Sequence, residues 1–435
     1  MRFYGREEEL RALDDIRKTS ESSSRFTVIL GRRRIGKTAL ALKSVEGNPF
    51  VYLFVTRVNE PVLCHNMQNT LRESGIDTVG EISRFRDIFK VIMIYSKDHP
   101  ITMIIDEFQD ITYVNPSIYS DIQEIWDLYK DTSRLNLIVS GSVHTMMTRL
   151  FEDEKQPLFN RPTSKISLQP LPIRLMKQIL KDHNPDYKNK DLLTLYMLTG
   201  GTPLYIEVLM DGGAVDSDSM IDKVASPDSI FLRDGRDMLV AEFGKDYRTY
   251  FSILQLISSG KERRSEIEDV LRMETGPYLD RLKKEYRFVD TVAPIFSDPG
   301  TKNTRWRITE MYLRFYFRMI LPLSDYLESG RYDLLRRSLL KAIPDYEGKV
   351  LEEYFTRRIR EEDTYTRIGG FWNRKGDIEI DIVVVDDIER TARIIEVKRN
   401  PDKLDECVLR MKAESLKGCL NGYQVIYQGL SVNDM

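Results

Sequence analysis

Cysteine is nearly absent from this chain: only Cys64, Cys407 and Cys419 occur among 435 residues. Their spacing matches no metal-binding pattern, and an odd count excludes a complete disulfide framework. The expectation is reduced thiols and a cytoplasmic protein. Histidine is as scarce, with four scattered residues, which argues against a histidine-ligated metal. No run of eighteen apolar residues exists, so no membrane span is expected. Met1-Arg2-Phe3-Tyr4-Gly5-Arg6 has no apolar signal core. Charge of one sign is missing too: 65 basic and 68 acidic residues leave a net charge of −3. Contact with nucleic acid must therefore come from a local patch, not from the field of the whole molecule. What remains, 41% hydrophobic and 31% charged, suits a globular chain of several domains.

The most informative segment is Gly31-Arg32-Arg33-Arg34-Ile35-Gly36-Lys37-Thr38, which fits G-x-x-x-x-G-K-[ST] without a gap. A buried-strand pattern precedes it at 26–30, and a helical pattern follows from Ala39. In that context the loop's amides and the helix N-terminus would cradle a phosphate. Lys37 would reach the β- and γ-phosphates of ATP, and Thr38 would hold Mg²⁺. A second apolar run, Ile101-Thr102-Met103-Ile104-Ile105, ends in Asp106-Glu107. Parallel strands buried on both faces read this way, and their C-terminal ends are where α/β sheets bind ligands. Asp106 would anchor Mg²⁺ through water, and Glu107 would orient the water that attacks the γ-phosphate. A further strand ends in Ser140-Gly141-Ser142. Ser140 would meet the γ-phosphate or that water, or simply make a serine turn.

Strands near 26–30, 50–55, 101–105 and 135–140 alternate with helices, so residues 1–165 read as an α/β core with a parallel sheet. Residues 166–240 read as a helical lid broken by Gly200-Gly201-Thr202-Pro203. Residues 241–310 contain three helical patterns, at 247–259, 264–272 and 275–287. Two strands follow, at 288–296 and 305–309, the order of a winged helix. Arg281, Lys283, Lys284 and Arg287 would either meet DNA phosphates or form a solvated helix face. Residues 311–340, with Tyr312, Phe315, Tyr316 and Phe317, read as aromatic packing in a helical linker.

Residues 341–435 carry a second candidate site. A helix opens at Gly348 and includes Glu352; strands follow at 378–385 and 392–398. Residues two apart share a strand face, so Glu396 and Lys398 project together, with Asp381 on the neighbouring strand. Asp381 and Glu396 would bind a divalent metal, with Glu352 completing the site. Lys398 would stabilise charge on a scissile phosphate or position water. The alternative is an amphipathic hairpin with exposed charges.

These motifs resemble those of the prokaryotic, archaeal and bacterial, AAA-type P-loop ATPases that carry a C-terminal domain of unknown function. That domain is in turn similar to restriction-endonuclease-like nucleases. The resemblance rests on the opening box Phe3-Tyr4-Gly5-Arg6-Glu7-Glu8-Glu9-Leu10, the two phosphate-site motifs, and Thr199-Gly200-Gly201-Thr202-Pro203-Leu204-Tyr205. It continues in Gly369-Gly370-Phe371-Trp372, Glu379-Ile380-Asp381 and Glu396-Val397-Lys398. Leu158-Phe159-Asn160-Arg161 resembles a segment whose arginine would serve as an arginine finger from a neighbouring subunit, although Asn160 stands where glycine is usual. The resemblance implies an α/β P-loop NTPase with helical lid, winged helix and restriction-endonuclease-like domain. It implies ATP and Mg²⁺ as cofactors, DNA as partner and a possible homo-oligomer. Two functions are open: an ATP-hydrolysing, DNA-associated protein with a Mg²⁺-dependent nuclease domain, or a nucleotide-dependent switch whose nuclease-like domain only binds.

Overall fold

The computed structural model describes residues 1–244 and 247–435, apart from the side chains of His144 and Ala241. Residues 245 and 246, inside the stretch expected to hold the winged helix, lie outside that description. The chain forms two compact units, residues 4–170 and residues 1–3 with 171–435.

Unit 4–170 is built on five parallel strands: β1 (Arg25–Leu30), β2 (Phe50–Phe54), β3 (Ile101–Asp106), β4 (Leu135–Ser140) and β5 (Ser164–Ser167). Their order is β2-β3-β4-β1-β5. The three central strands are buried along nearly their whole length, which explains their near-continuous apolar sequences. One face packs Phe26, Phe89, Phe108, Trp126 and Phe151 into the larger core. The other packs Ile29, Leu40, Ile104 and Ile138. Because β4 lies between β1 and β3, the strand ends at Leu30, Ser140 and Asp106 open side by side. The sheet does not end at 165: β5 pairs with β1 from Thr27↔Ser164 to Leu30↔Ser167. Ser164-Lys165-Ile166-Ser167 is short and half polar because it is an edge strand.

Unit 171–435 begins with helices. Asn189–Thr199 ends at Gly200 and Gly201, both at positive φ (56° and 87°), and Pro203 opens the next helix, Pro203–Asp211. A Cβ on Gly201 would lie 2.4 Å from the Leu171 carbonyl oxygen, so the turn tolerates no side chain there. Three helices, Tyr247–Ser258, Arg264–Leu271 and Gly276–Lys284, precede an antiparallel ribbon of β6 (Val289–Val292) and β7 (Arg305–Ile308). The ribbon is shorter than its sequence pattern: Phe296 adopts φ 68°, and the Ile295 amide donates to the Gly370 carbonyl at 2.8 Å. Tyr312, Phe315, Tyr316 and Phe317 are buried as expected. Tyr312 packs on Tyr205 with centroids 4.2 Å apart, and Phe317 packs on Phe251 at 5.4 Å.

The C-terminal sheet has the order β11-β10-β9-β8, from β8 (Arg367–Trp372), β9 (Glu379–Asp386), β10 (Thr391–Val397) and β11 (Gln424–Leu430). The first three strands run antiparallel and β11 lies parallel to β10. The preceding helix spans Tyr332–Glu362 and so begins well before Gly348, crossing the expected boundary at 340. Pro344 sits inside it. Leu335, Leu339, Ile343, Val350 and Leu351 form a continuous buried stripe on this helix, and that packing outweighs the backbone hydrogen bond proline removes.

Candidate functional site

The phosphate loop takes the backbone its glycines permit. Gly31 has φ 152°, Gly36 φ 90°, and Arg34 is also in the left-handed region at 71°. A Cβ on Gly31 would come within 2.9 Å of Ile35. The helix Lys37–Lys43 starts directly after Gly36. Lys37 is buried, and its ammonium donates to the carbonyls of Gly31 and Arg32, both at 2.9 Å. It is thus folded over the loop that a phosphate would occupy.

Asp106 is the hub. Its carboxylate accepts from Thr38 Oγ1 at 2.5 Å, Ser140 Oγ at 2.6 Å, Tyr52 Oη at 3.0 Å and the Glu107 amide at 2.9 Å. Burial and the Asp106 charge push the Tyr52 hydroxyl pKa well above its ordinary value, so Tyr52 stays a donor. Glu107 sits at φ 53°. Its carboxylate accepts from Ser142 Oγ at 2.7 Å and Gln109 Nε2 at 2.5 Å. Gly141 leaves room beside it for the Gln109 side chain, whose Oε1 would lie 2.1 Å from a Cβ there. The structure therefore gathers Lys37, Thr38, Asp106, Glu107 and Ser140 at one edge of the sheet. The sequence pattern does not single out Tyr52 or Gln109, and it gives Ser142 only as part of Ser140-Gly141-Ser142. Tyr52 reaches the site through the pairing Tyr52↔Ile104 on the neighbouring strand.

The magnesium that the motif implies fits these residues. A buried carboxylate beside a threonine hydroxyl is a hard-oxygen donor set, so Thr38 and Asp106 would hold the ion.

A match to the model of an ATPase domain predominantly from Archaea spans residues 3–209, and one to archaeal and bacterial proteins of unknown function spans 316–407. An uncharacterized protein of Methanocaldococcus jannaschii is 30% identical over 407 residues, 91% of this chain and 87% of that protein. The chain belongs to this archaeal ATPase family. The ATPase shares its fold with the Walker-type ATPase of Pyrococcus abyssi, at 18% identity and TM-score 0.55, over 73% of this chain and 96% of that one. The ORC2 protein of Aeropyrum pernix, solved with ADPNP and ADP, aligns over 76% of this chain and 95% of that one at 18% identity and TM-score 0.45. Among the described residues of the ATPase, no helix is long and apolar enough to cross a membrane.

Arg161 is not brought to the phosphate loop of its own chain. It precedes β5, near the N-terminal end of β1, and ion-pairs with Asp127 at 3.0 Å. Asn160 sits at φ 56°, a conformation asparagine tolerates. The basic residues of helix Gly276–Lys284 mostly have acidic neighbours: Arg281 meets Glu285 at 3.3 Å, Lys283 meets Asp290 at 2.9 Å, and Lys284 meets Asp280 at 3.7 Å. Such surface pairs are weak and exchangeable. Arg287 follows the helix at φ 54°.

The C-terminal constellation does assemble. Ile395 sits opposite Ile382, so Glu396 and Asp381 come next across the two strands. Asp381 Oδ2 accepts the Val397 amide at 2.7 Å. Lys398 Nζ lies 2.6 Å from Glu396 and 3.9 Å from Asp381. Lys412, unforeseen because it comes from helix Glu406–Ala413, also reaches Glu396 at 3.0 Å. Burial, with Glu396 nearby, pushes the Asp381 carboxyl up to about 6. Burial and the Asp381 charge push Glu352 up to about 8. Two carboxyls raised in this way would be relieved by a cation. Yet among the described residues no three His, Cys, Asp or Glu side chains converge closely enough to form a metal site. Glu352 lies near the Asp381–Glu396 pair without completing a three-carboxylate cage.

Proposed function

We propose that this ATPase hydrolyses ATP with magnesium, associates with DNA, and carries a Mg²⁺-dependent nuclease centre in its C-terminal domain. The observation that carries the first part is the convergence of Lys37, Thr38, Asp106, Glu107 and Ser140 on one sheet edge. The loop amides would bind the β- and γ-phosphates, and Lys37 would exchange its carbonyl partners for phosphate oxygens. Glu107 would orient water, whose oxygen bonds to the γ-phosphorus as the bond to the bridging oxygen breaks, releasing ADP and phosphate. Magnesium at Thr38 and Asp106 would neutralise phosphate charge. Lys37→Ala is expected to abolish nucleotide turnover; unchanged turnover in that variant removes the assignment.

The nuclease reading is supported by Asp381, Glu396 and Lys398 lying together on adjacent strands. A divalent cation there would supply charge stabilisation at a phosphodiester. Lys398 would hold negative charge that develops on the phosphoryl oxygens as water bonds to phosphorus and the bond from phosphorus to the sugar oxygen breaks. The leaving oxygen takes up a proton. The three helices and ribbon at 247–308 support a winged helix as the DNA-associated element. One observation favours the rival reading, a nucleotide-dependent switch with an inactive nuclease-like domain. Two lysines already neutralise Glu396. Cleavage of plasmid and branched DNA with Mg²⁺ or Mn²⁺ separates the two. Activity lost in both Asp381→Ala and Lys398→Ala supports the nuclease, whereas DNA binding without any cleavage supports the switch.

A further inference from the structure

The residues that follow Asp106-Glu107 leave the strand at once. Glu107 turns the chain at φ 53°, and Phe108–Asp110 form a single tight helical turn whose Asp110 amide donates to the Glu107 carbonyl at 2.8 Å. The backbone of this turn is anchored. Phe108 is buried against Tyr119 and Phe151. The Tyr119 hydroxyl lies 3.1 Å and 3.2 Å from the Phe108 and Gln109 carbonyl oxygens. The turn thus folds the buried Gln109 side chain back between two acids. Its Nε2 donates to Glu107 at 2.5 Å and to Asp110 Oδ1 at 3.3 Å. Two carboxylates dictate that the nitrogen of the amide faces them. The oxygen bears the cost: Gln109 Oε1 is buried with no hydrogen-bond partner among the described residues. Asp110 is buried too, and Arg57 grips it from the far side, through Nε at 2.8 Å and Nη2 at 3.0 Å. The Arg57 side chain is 55% exposed and stacks on the Tyr113 ring at 4.3 Å.

We propose that Gln109 sets the direction of the Glu107 carboxylate, and that Arg57, acting through Asp110, sets Gln109. The three are positioning residues that restrain the base, and none of them touches the phosphate loop. The inference rests on the hydrolysis reading, in which Glu107 orients water. Gln109 and Ser142 hold one oxygen of Glu107, so the carboxylate keeps a single orientation. Asp110 Oδ1 accepts from both Arg57 and Gln109, which makes the two donors competitors for one atom. While Arg57 neutralises Asp110, the pull of Asp110 on the amide is weak, and the amide stays close to Glu107. Without Arg57 the charge on Asp110 is uncompensated and draws the amide across, which releases the base.

The test is steady-state phosphate release by the full chain with Mg²⁺ over a range of ATP concentrations. Gln109→Met keeps the length of the side chain and removes its donor. It is expected to raise kcat roughly 3- to 10-fold, the net worth of an ordinary hydrogen bond, with the KM for ATP within about twofold of wild type because no contact to nucleotide is lost. Arg57→Gln is expected to raise kcat about threefold, and Arg57→Lys, which keeps the charge without the fork, by less. The double variant Arg57→Gln, Gln109→Met should be no faster than Gln109→Met alone, since Arg57 has no other route to the base. Asp110→Asn gives a second cycle should Gln109→Met fail to fold: in that background Arg57→Gln should be silent. Effects that multiply in the double variant, a fall in kcat, or a change confined to KM overturn the proposal. Wild-type turnover that every variant leaves unchanged sinks the proposal and spares the hydrolysis reading. Absence of phosphate release from wild type and variants alike removes both.

Discussion

Asp106 illustrates how one buried carboxylate organises a reaction site. A buried charge is costly unless it is fully hydrogen-bonded, and here three hydroxyls and an amide satisfy it. Those donors come from four segments, so their alignment depends on strand order rather than on any local motif. Glu107 is held differently. Ser142 and Gln109 both donate to its Oε2, which turns the proposed base toward β4 and away from solvent water. Gln109 also reaches Asp110 at 3.3 Å, and Asp110 is clamped by Arg57 at 2.8 Å. Removing one donor should free Glu107 at modest cost to its fold. Ser142→Ala is therefore expected to raise basal ATP turnover by roughly 3- to 10-fold, about 0.7–1.4 kcal/mol, the net worth of one ordinary hydrogen bond. Steady-state phosphate release at saturating ATP reads this out. A fall in kcat would instead make Ser142 a positioning residue for the base.

At the scale of elements, the legible parts of the fold were those where sequence pattern and tertiary burial agree. β1, β3 and β4 are continuous apolar runs because both faces are covered. The phosphate loop and Asp106-Glu107 follow such strands directly, so their meeting place could be read from order alone. β5 was missed because an edge strand of four residues needs no apolar signature. The long helix runs through Pro344, although proline normally signals an end, because a buried apolar stripe decides here. Lys412 and Tyr52 were missed because nothing in spacing brings distant elements together. The Gly200-Gly201 turn was read correctly as a break, and its requirement is steric. Gly201→Ala is expected to destabilise unit 171–435 by on the order of 2–4 kcal/mol, combining positive-φ strain with a backbone clash. Urea denaturation of the full chain measures this; a change below about 0.5 kcal/mol, the size of an ordinary surface substitution, would show that the turn can relax.

For the whole molecule, two compact units imply two unfolding transitions that respond to different ligands. ADP with magnesium should raise the transition of unit 4–170, by about 2.7 kcal/mol at a hundredfold excess over Kd. The other transition should respond to pH through Glu352 and Asp381. Both carboxyls have folded pKa values above their ordinary ones, about 8 against 4.5 and about 6 against 3.8. Between those limits the folded state binds more protons than the unfolded state, so stability falls as pH rises. The contribution of Glu352 is fully present below pH 4.5 and is lost as pH climbs through about 8. Glu352→Gln should leave stability unchanged near pH 4.5 and raise it at pH 8.5, measured with chelator present. A cation bound by these acids acts in the opposite sense, because it favours their ionised forms. Millimolar Mn²⁺ should therefore stabilise the wild-type unit more at pH 8 than at pH 5, and should do so less in the Gln variant. Equal thermal shifts at both pH values would mean that Glu352 and Asp381 are strained by burial without serving a metal.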